Sequence, residues 1–330
     1  MQESLSLSIV IPAYNEAENL PTLINRLLSV LVPLSVGYEI IIVDDGSDDN
    51  TQEVLGQDLV KNQNIKVIHL SRNFGHQAAL NAGIDYSSGE AVITMDADLQ
   101  HPPELVGEMF LEYKKGFDLV LGERVSNKEN SFVKNKFSKL FYFFINKISD
   151  FDIRANVADF NLYSRPVVNI LKQLPEKDRF LRGLAQWIGF KKKYIKYECD
   201  KRYNGVSKYS LKKMMKLAIT GITSFSAFPL RIAWWVGLTI SLSGFAYAMY
   251  ILYEYFFARG HVIAGWTSLT IAVLIIGGTQ LMILGVIGEY LFKIFYEIKG
   301  RPLYIIQSTD GFSKLPEDVN HIKYGISAQM

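Results

Sequence analysis

Two carboxylates separated by one residue are the first feature of the sequence that suggests chemistry. Asp96 and Asp98 follow an apolar run, and Gln100 comes two residues later. In an extended chain, residues two apart point the same way, so both carboxylates would face one ligand. Oxygen ligands suit Mg²⁺ or Mn²⁺, which commonly join one or two carboxylates to substrate phosphates. The spacing predicts a divalent-cation site, although Asp-x-Asp also occurs in surface turns and helix caps.

A second acidic pair, Asp44 and Asp45, also ends an apolar run and leads into Gly46 and Ser47. Asp and Gly favour turns, so a simple turn is one interpretation. The functional interpretation is that a carboxylate accepts hydrogen bonds from a base N–H or from ribose hydroxyls. A carboxylate would repel phosphate. The pair therefore fits the nucleoside end of a ligand whose diphosphate lies on the cation.

The elements that must position these residues alternate between strand-like and helical patterns. The predicted strands are residues 7–11, 39–43, 65–70, 91–95 and 119–122, and the predicted helices are 17–31, 51–60, 76–86 and 103–115. This alternation predicts βαβ units around a mostly parallel sheet, hence an α/β fold. Ligands of such sheets bind beyond the carboxyl ends of the strands, which is where the polar residues cluster. G-x-G-x-x-G and P-loop motifs are absent, which argues against dinucleotide enzymes and P-loop NTPases.

Composition excludes several other classes. Of the 330 residues, 49% are hydrophobic and 21% charged, unlike a disordered chain. The net charge of +2 argues against nucleic acid as a partner. The single cysteine excludes an intrachain disulfide and a cysteine-cluster metal site. The first residues lack the basic and apolar regions of a signal peptide.

Two long uncharged runs, residues 232–253 and 262–288, stand apart from this average. As helices rising about 1.5 Å per residue, both are long enough to cross a bilayer core of about 30 Å. A pair of buried core helices is the alternative. Basic residues flank the runs on the side of both chain ends, at Arg231, Lys293 and Lys299. The positive-inside rule then predicts a multi-pass protein of the cell (inner) membrane with its N-terminal region in the cytosol.

Three further features favour contact with a membrane or with another subunit. Residues 131–148 interleave lysines and aromatics, as interfacial helices do, although a helix packed on the sheet is the alternative. Arg179 and Arg182 are candidates for an acceptor phosphate, with surface salt bridging as the alternative. Small residues in the second run, Gly277, Gly278, Gly285 and Gly288, permit close helix approach and favour a homo-oligomer.

Together, several motifs resemble a known family. They are V-I-P-A-Y-N-E at 10–16, D-D-G-S at 44–47, N-F-G-H-Q at 73–77 and D-A-D-L-Q-H-P-P-E at 96–104. They resemble glycosyltransferase family 2 of the GT-A fold, and within it the polyisoprenyl-phosphate sugar transferases. That group includes dolichol-phosphate mannose synthases and bacterial enzymes that use undecaprenyl phosphate. The resemblance covers about residues 5–293, including both apolar runs.

The resemblance implies a donor site. The implied nucleoside pocket consists of Pro12, Tyr14, Glu16, Val43 and Asp45. Other implied donor contacts are Asp44, Asn73, Gln77, Asp96, Ala97, Asp98, Gln100 and Arg124, with Asp96, Asp98 and Gln100 as ligands of Mg²⁺ or Mn²⁺. An R-x-x-G-x-S-K segment at 202–208 would close over the donor through Arg202, Ser207 and Lys208.

The same resemblance implies inverting transfer of a hexose to polyisoprenyl phosphate, with UDP-glucose as the favoured donor. Asp159 corresponds to the residue usually proposed as the base. A phosphomonoester is already largely ionised at pH 7, so we expect Asp159 to position the acceptor or take a residual proton. The larger catalytic effect should be electrostatic, from the cation held by Asp98 and from Arg202 and Lys208.

The expected organisation has four parts: a cytosolic GT-A domain (1–165), a donor-closing segment with juxtamembrane amphipathic helices (166–230), a transmembrane hairpin (231–293, with helices at about 232–256 and 262–290) and a cytosolic tail (294–330). One alternative function is a processive polysaccharide synthase, disfavoured because Q-x-x-R-W and further spans are absent. The other is a non-catalytic membrane scaffold or flippase subunit, which would have little reason to keep this charged set.

Overall fold

The computed structural model describes residues 5–59, 62–125, 154, 157–174, 176, 181–198, 228–253, 257 and 265–312. These residues divide into two compact units. One contains the described residues up to 198 together with 301–312, and the other contains those of 228–300.

The first unit is organised, within its described residues, around an eight-stranded sheet. The strands are β1 (Leu5–Ala13), β2 (Gly37–Asp44), β3 (Ile65–Leu70), β4 (Ala91–Thr94), β5 (Leu119–Arg124), β6 (Val157–Ser164), β7 (Lys192–Tyr197) and β8 (Ile306–Asp310). Their spatial order is β7-β5-β6-β4-β1-β2-β3-β8. Strand β6 is antiparallel to β4 and β5, β8 is antiparallel to β3, and the other neighbours are parallel. The mostly parallel α/β sheet expected from the sequence is confirmed.

Helices cover both faces of this sheet. They are α1 (Leu20–Leu31), α2 (Thr51–Leu59), α3 (His76–Tyr86), α4 (Leu105–Lys114), α5 (Arg165–Gln173) and α6 (Leu181–Trp187). Side chains alternate along β2, so Ile40 and Ile42 join the apolar cluster of α1 and α4, and Ile41 and Val43 join that of α3. A Cβ on Gly83 of α3 would collide with Val10, so this glycine lets α3 lie close to β1.

Strands β6, β7 and β8 are additional to the five strands predicted from the sequence, and β7 and β8 lie outside the predicted catalytic domain 1–165. Helices α5 and α6 and strand β7 place the described residues between 165 and 198 in the sheet unit, so this unit continues past residue 165, the predicted end of the catalytic domain. Strand β8 comes from the predicted tail and pairs with β3. Beside it, the Tyr304 hydroxyl donates to Asp85 at 2.9 Å, and the Phe312 ring contacts Tyr86 edge-on. Residues 301–312 are therefore part of the sheet unit.

The second unit contains two long helices, α7 (Phe228–Tyr253) and α8 (Trp266–Ile298), near the predicted spans. They pack on each other where a Cβ on Gly237 would lie 3.7 Å from Ile283. Among the described residues, Ile275–Ile298 is long and apolar enough to cross a membrane, and Ile232–Tyr247 is a shorter apolar stretch. The predicted interfacial helix at 131–148 and the lysine-rich segment before α7 lie outside the described residues.

Candidate active site

The loops after β1 and β2 are tied together by reciprocal hydrogen bonds. The Asn15 backbone N–H donates to Ser47 Oγ at 3.0 Å, and the Asp48 N–H donates to Asn15 Oδ1 at 2.9 Å. Asn15 adopts a left-handed conformation with φ of 57°, which Asn tolerates better than most residues. The Tyr14 hydroxyl donates to Asp48 at 3.2 Å, and this bond raises the pKa of Tyr14. These contacts fix one side of the sheet edge.

Asp44, predicted to bind the donor, has its carboxylate turned into the protein. It is fully buried and accepts hydrogen bonds from the Ser47 N–H at 3.0 Å and Gln52 Nε2 at 3.1 Å. His69 Nδ1 lies 3.1 Å away, and its Nε2 lies 3.2 Å from Asp310 of β8. Burial alone would raise the pKa of Asp44, but these hydrogen bonds lower it overall. The geometry gives the Asp44 side chain a bracing role beneath the site.

Asp45 instead holds the loop after β3. Its two oxygens accept the N–H groups of Phe74 at 2.7 Å and Gly75 at 2.9 Å. Burial, together with the nearby charge of Asp44, raises the pKa of Asp45 even though these two donors lower it. The next residue, Gly46, has φ of +67°, and a Cβ there would lie 2.5 Å from the backbone of Arg72. The turn therefore requires glycine both for its conformation and for its close approach.

The Asp96–Gln100 segment lies in a turn, which corrects the extended geometry assumed for it. Strand β4 ends at Thr94, and Leu99 is in the left-handed region with φ of 62°. Leu99 and Ala97 are buried in the core, whereas Asp96, Asp98 and Gln100 are partly exposed. The Gln100 N–H donates to Asp98 Oδ1 at 3.1 Å. Buried and partly exposed side chains alternate along this turn, so the three polar side chains lie at the sheet edge even though the segment is not a strand.

Two histidines contact Asp96 from different sides. His101 is buried, stacks on Phe160 with ring centroids 5.1 Å apart, and accepts the Asp96 N–H at Nδ1 at 3.0 Å. Its proton must then be on Nε2, which lies 3.6 Å from Asp96 Oδ2. His76 Nε2 is 2.8 Å from Asp96 Oδ1. Burial opposes ionisation of Asp96, but the two histidines and Arg182 hold its pKa well below the usual range.

Asp159, on β6, forms a bidentate ion pair with Arg182 of α6. Arg182 Nε donates to Oδ1 at 2.7 Å and Nη2 to Oδ2 at 2.6 Å. Gln77 Nε2 also approaches Oδ2 at 3.3 Å, while Gln77 Oε1 accepts the Leu181 N–H at 3.3 Å. Asp159 is 2% exposed, and Arg182 is 37% exposed. The two residues predicted for separate roles, base and acceptor-phosphate ligand, are direct partners in this structure.

The remaining predicted residues are distributed around this edge. Pro12 and Val43 are buried at the ends of β1 and β2. Glu16 is half-buried and accepts a hydrogen bond from Asn19 at 2.6 Å, and Asn73 and Arg124 are exposed. Arg179, Arg202, Ser207 and Lys208 lie outside the described residues. The structure thus brings the carboxyl ends of β1, β2 and β4 together with Asp159 and Arg182, and leaves the closing segment untested.

Two carboxylates and one amide oxygen are a suitable donor set for Mg²⁺ or Mn²⁺ when diphosphate and water supply further ligands. Within the described ranges, no three His, Cys, Asp or Glu side chains converge as a ready-made metal site. The depressed pKa of Asp96 keeps one candidate ligand ionised. The residues therefore fit a cation shared with substrate better than a closed protein site.

His76 and His101 both contact Asp96, and neither had a predicted role. Both occur in motifs of the sequence, N-F-G-H-Q and D-L-Q-H-P-P-E, but neither has metal-ligand spacing with another histidine. Their contacts with Asp96 arise because the N-terminus of α3 and the turn after β4 meet at the sheet edge. Spacing along the chain carries no signal of that meeting.

Comparison with known proteins identifies the class. Residues 8–171 match the sequence profile of Glycosyl transferase family 2. An uncharacterized glycosyltransferase of Synechocystis sp. is 44% identical over 313 residues, which cover 95% of this chain and 98% of that protein. The SfII prophage-derived bactoprenol glucosyl transferase of Shigella flexneri is 37% identical over 307 residues, which cover 92% of this chain and 98% of that protein.

A solved structure shows a more distant similarity. Glucosyl-3-phosphoglycerate synthase from Mycobacterium tuberculosis, in complex with Mn²⁺, UDP-glucose and phosphoglyceric acid, aligns with a TM-score of 0.44 and 18% identity. The alignment covers 66% of this chain and 78% of that chain. The sequence matches define an enzyme, a glycosyltransferase with the α/β GT-A fold. The chain belongs to glycosyltransferase family 2.

Proposed function

We propose that this enzyme transfers a hexose, with UDP-glucose as the favoured donor, to a polyisoprenyl phosphate on the cytosolic face of a membrane. The observation that carries the proposal is the convergence, at one sheet edge, of Asp96 with the Asp159–Arg182 pair, since His76 lies 2.8 Å from Asp96 and 3.8 Å from Asp159. An acidic site for a cation–diphosphate donor then adjoins a basic group suited to an anionic acceptor. The relatives named bactoprenol glucosyl transferase support this choice of acceptor and sugar.

At the donor end, Asp45 is our candidate for the nucleoside. A carboxylate can accept about four hydrogen bonds, so the two from Phe74 and Gly75 leave capacity for a base or ribose donor. Tyr14, at the neighbouring strand end, is a candidate to pack against the base. Asp44 contributes indirectly in this proposal, by bracing the loop that carries Asp45.

At the diphosphate end, Asp96, Asp98 and Gln100 would hold Mg²⁺ or Mn²⁺. A bound cation would supply charge neutralisation for the leaving nucleoside diphosphate. His101 holds the Asp96 backbone and keeps this carboxylate at the edge. We also propose that Arg124, Asn73 and the segment carrying Arg202, Ser207 and Lys208 complete the donor site.

At the acceptor end, Arg182 is positioned by Asp159 and would pair with the lipid phosphate, together with Arg179. Guanidinium groups present several N–H donors in a fixed fork, which suits phosphate. The phosphate is largely ionised at pH 7, so attack on the anomeric carbon needs little help from a base. One in-line displacement would invert the configuration, with the electron pair of the broken bond leaving on the nucleoside diphosphate.

We further propose that α7 and α8 form a hairpin that anchors the sheet unit to the inner membrane and that the enzyme is a homo-oligomer. The exposed apolar side chains of both helices support a lipid environment; they include Trp234, Trp235, Phe245, Leu281 and Met282. Residues 301–312 return the chain from α8 to the sheet. The catalytic unit would therefore comprise about residues 1–200 together with 301–312.

The test is transfer of radiolabelled sugar into the organic phase. The purified full chain in detergent would be given undecaprenyl phosphate, Mn²⁺ or Mg²⁺ and a panel of nucleotide sugars. We expect label from one donor, UDP-glucose first, and loss of turnover in Asp98→Ala while the thermal unfolding midpoint is retained. Nucleotide binding without lipid-linked label from any donor would contradict the acceptor. Near-normal turnover of Asp98→Ala would remove the cation site.

A further inference from the structure

His76 lies between the carboxylates of the two halves of the site. As the first residue of α3, it follows Gly75, whose φ of +101° turns the chain into the helix. Its Nε2 is 2.8 Å from Asp96 Oδ1, and its Nδ1 is 3.8 Å from Asp159 Oδ2. The side chain is 43% exposed, whereas that of His101 is 5% exposed. His76 is therefore accessible to ligands, and His101 is locked in the core.

The hydrogen bond to Asp96 has a defined direction. An ionised carboxylate accepts hydrogen bonds only, so at 2.8 Å His76 Nε2 donates its N–H to Asp96 Oδ1. The distance of 3.8 Å from Nδ1 to Asp159 is too long for a hydrogen bond. Asp159 is already held by Arg182 and Gln77, and Gln77 Nε2 lies 3.5 Å from His76 Nδ1, so the imidazole is bound mainly through the shorter contact with Asp96.

We propose that His76 is a ligand-binding residue that couples the donor half of the site to the acceptor half. The inference rests on the proposed function, because it requires a cation at Asp96 and a phosphate beside Arg182. A cation bound to Asp96 would replace the hydrogen bond that Asp96 accepts from His76. The His76 N–H could then donate to the acceptor phosphate. A phosphate that takes the His76 N–H releases Asp96 for the cation. Each ligand therefore favours the other, and by linkage the effect is reciprocal.

The coupling is measured with short ligands on the full chain in detergent. The affinity for Mn²⁺–UDP is determined by titration calorimetry with and without saturating farnesyl phosphate. We expect farnesyl phosphate to tighten binding about tenfold, within the usual range for coupled sites. Cation and phosphate also attract each other directly, so part of this factor is independent of His76.

Three variants isolate the contribution of His76. His76→Phe removes both ring nitrogens and should reduce the coupling factor at least about fivefold, with each ligand still binding alone. His76→Gln retains an N–H donor on a flexible chain and should restore part of the coupling. It also carries the test if the Phe variant fails to fold. Lys115→Gln, on the exposed surface beyond α4, is the matched control and should leave the factor unchanged.

The outcomes separate the two proposals. An unchanged coupling factor in His76→Phe and His76→Gln overturns the role of His76 while leaving the sugar transfer intact. A wild-type protein that transfers sugar but shows no coupling also overturns it. A wild-type protein that binds neither Mn²⁺–UDP nor farnesyl phosphate overturns the proposed function itself.

Discussion

The Asp159–Arg182 pair allows a quantitative prediction because another pair in this chain shares its geometry and differs in burial. Arg26 donates to both oxygens of Glu104 at 2.9 and 2.7 Å, as Arg182 does to Asp159 at 2.7 and 2.6 Å. The two arginines are similarly exposed, at 32% and 37%. The carboxylates differ, since Glu104 is 56% exposed and Asp159 only 2%. Burial of the carboxylate is the main variable between the pairs.

We expect this difference in burial to determine how much the free energy of unfolding falls when the arginine of each pair is replaced. Removing one partner of a buried pair costs about 3–5 kcal/mol, because a buried charge loses its compensation. We expect Arg182→Met to lower the free energy of unfolding by about 3 kcal/mol, the lower end, because Arg182 itself is partly exposed. An exposed pair contributes about 0–1 kcal/mol, which is the expectation for Arg26→Met. A loss of 1 kcal/mol lowers the melting temperature by about 2–4 °C. Arg182→Met should therefore lower it by about 6–12 °C, and Arg26→Met by less than about 4 °C.

The assay is thermal unfolding of the full chain in one detergent, for each pair as a double-mutant cycle. Asp159→Asn and Glu104→Gln complete the two cycles. The interaction energy should be about 2 kcal/mol or more for Asp159–Arg182 and below about 1 kcal/mol for Arg26–Glu104. Equal interaction energies would refute the reasoning from burial. A drop of less than about 2 °C for Arg182→Met would show that the ion pair does not persist in solution.

Three further predictions concern the scaffold around the site. Burial alone would raise the pKa of Glu39, but hydrogen bonds from Lys66 and two serines lower it below its ordinary value. Its stabilisation is therefore complete above about pH 4.5 and lost as the pH falls through the lower folded value, so Glu39→Gln should reduce the melting temperature at pH 7 and flatten its fall below pH 4.5. Gly46→Ala should destabilise by at least about 1–2 kcal/mol because of positive φ and contact, whereas Gly56→Ala, with open space around it, should be neutral or stabilising in the same melting assay. His101→Asn keeps an acceptor near the Nδ1 position and should retain more Mn²⁺ affinity than His101→Gln in a calorimetric titration; the opposite order would assign the main role to Nε2.

The fold was predictable where local pattern determines it. The runs of β1 to β4 are mostly apolar and bounded by turn residues, so length and flanking residues identify them as buried strands. Strands β6 and β8 carry polar residues such as Asn161 and Ser308, and their pairing partners are far away in sequence. The state of such strands depends on the neighbour they meet, because strand preference is largely a matter of context. Residues 301–312 were predicted as a tail for the same reason, because β8 forms a strand by pairing with β3, which is distant in sequence.

The sequence was sufficient to predict which residues lie at the site, but not which of them contact each other. Polar residues at the ends of β1, β2 and β4 follow from the rule that ligands bind at the carboxyl edge of a parallel sheet. Whether Asp159 faces a substrate proton or a guanidinium depends on where α6 packs, and the spacing of Asp159 and Arg182 contains no such information. The contact of His76 with Asp96 likewise depends on how α3 meets the turn after β4. Residue type therefore predicted which groups lie at the site, whereas the partner of each group is known only from the structure.

Asp44 and Asp45 show why adjacent carboxylates at a strand end take different roles. Successive side chains of a strand point to opposite faces, so the two groups cannot serve one ligand in the same way. Asp44 meets Gln52 and His69, and these hydrogen bonds outweigh burial and lower its pKa. Among the described residues, the Asp45 carboxylate accepts hydrogen bonds from backbone N–H groups of the next loop, and burial and the charge of Asp44 leave its pKa raised. Asp44 is therefore ionised and held in place by its hydrogen-bond partners, and it supports the loop that carries Asp45. Asp45 is the carboxylate of this pair that can still accept hydrogen bonds from a nucleoside.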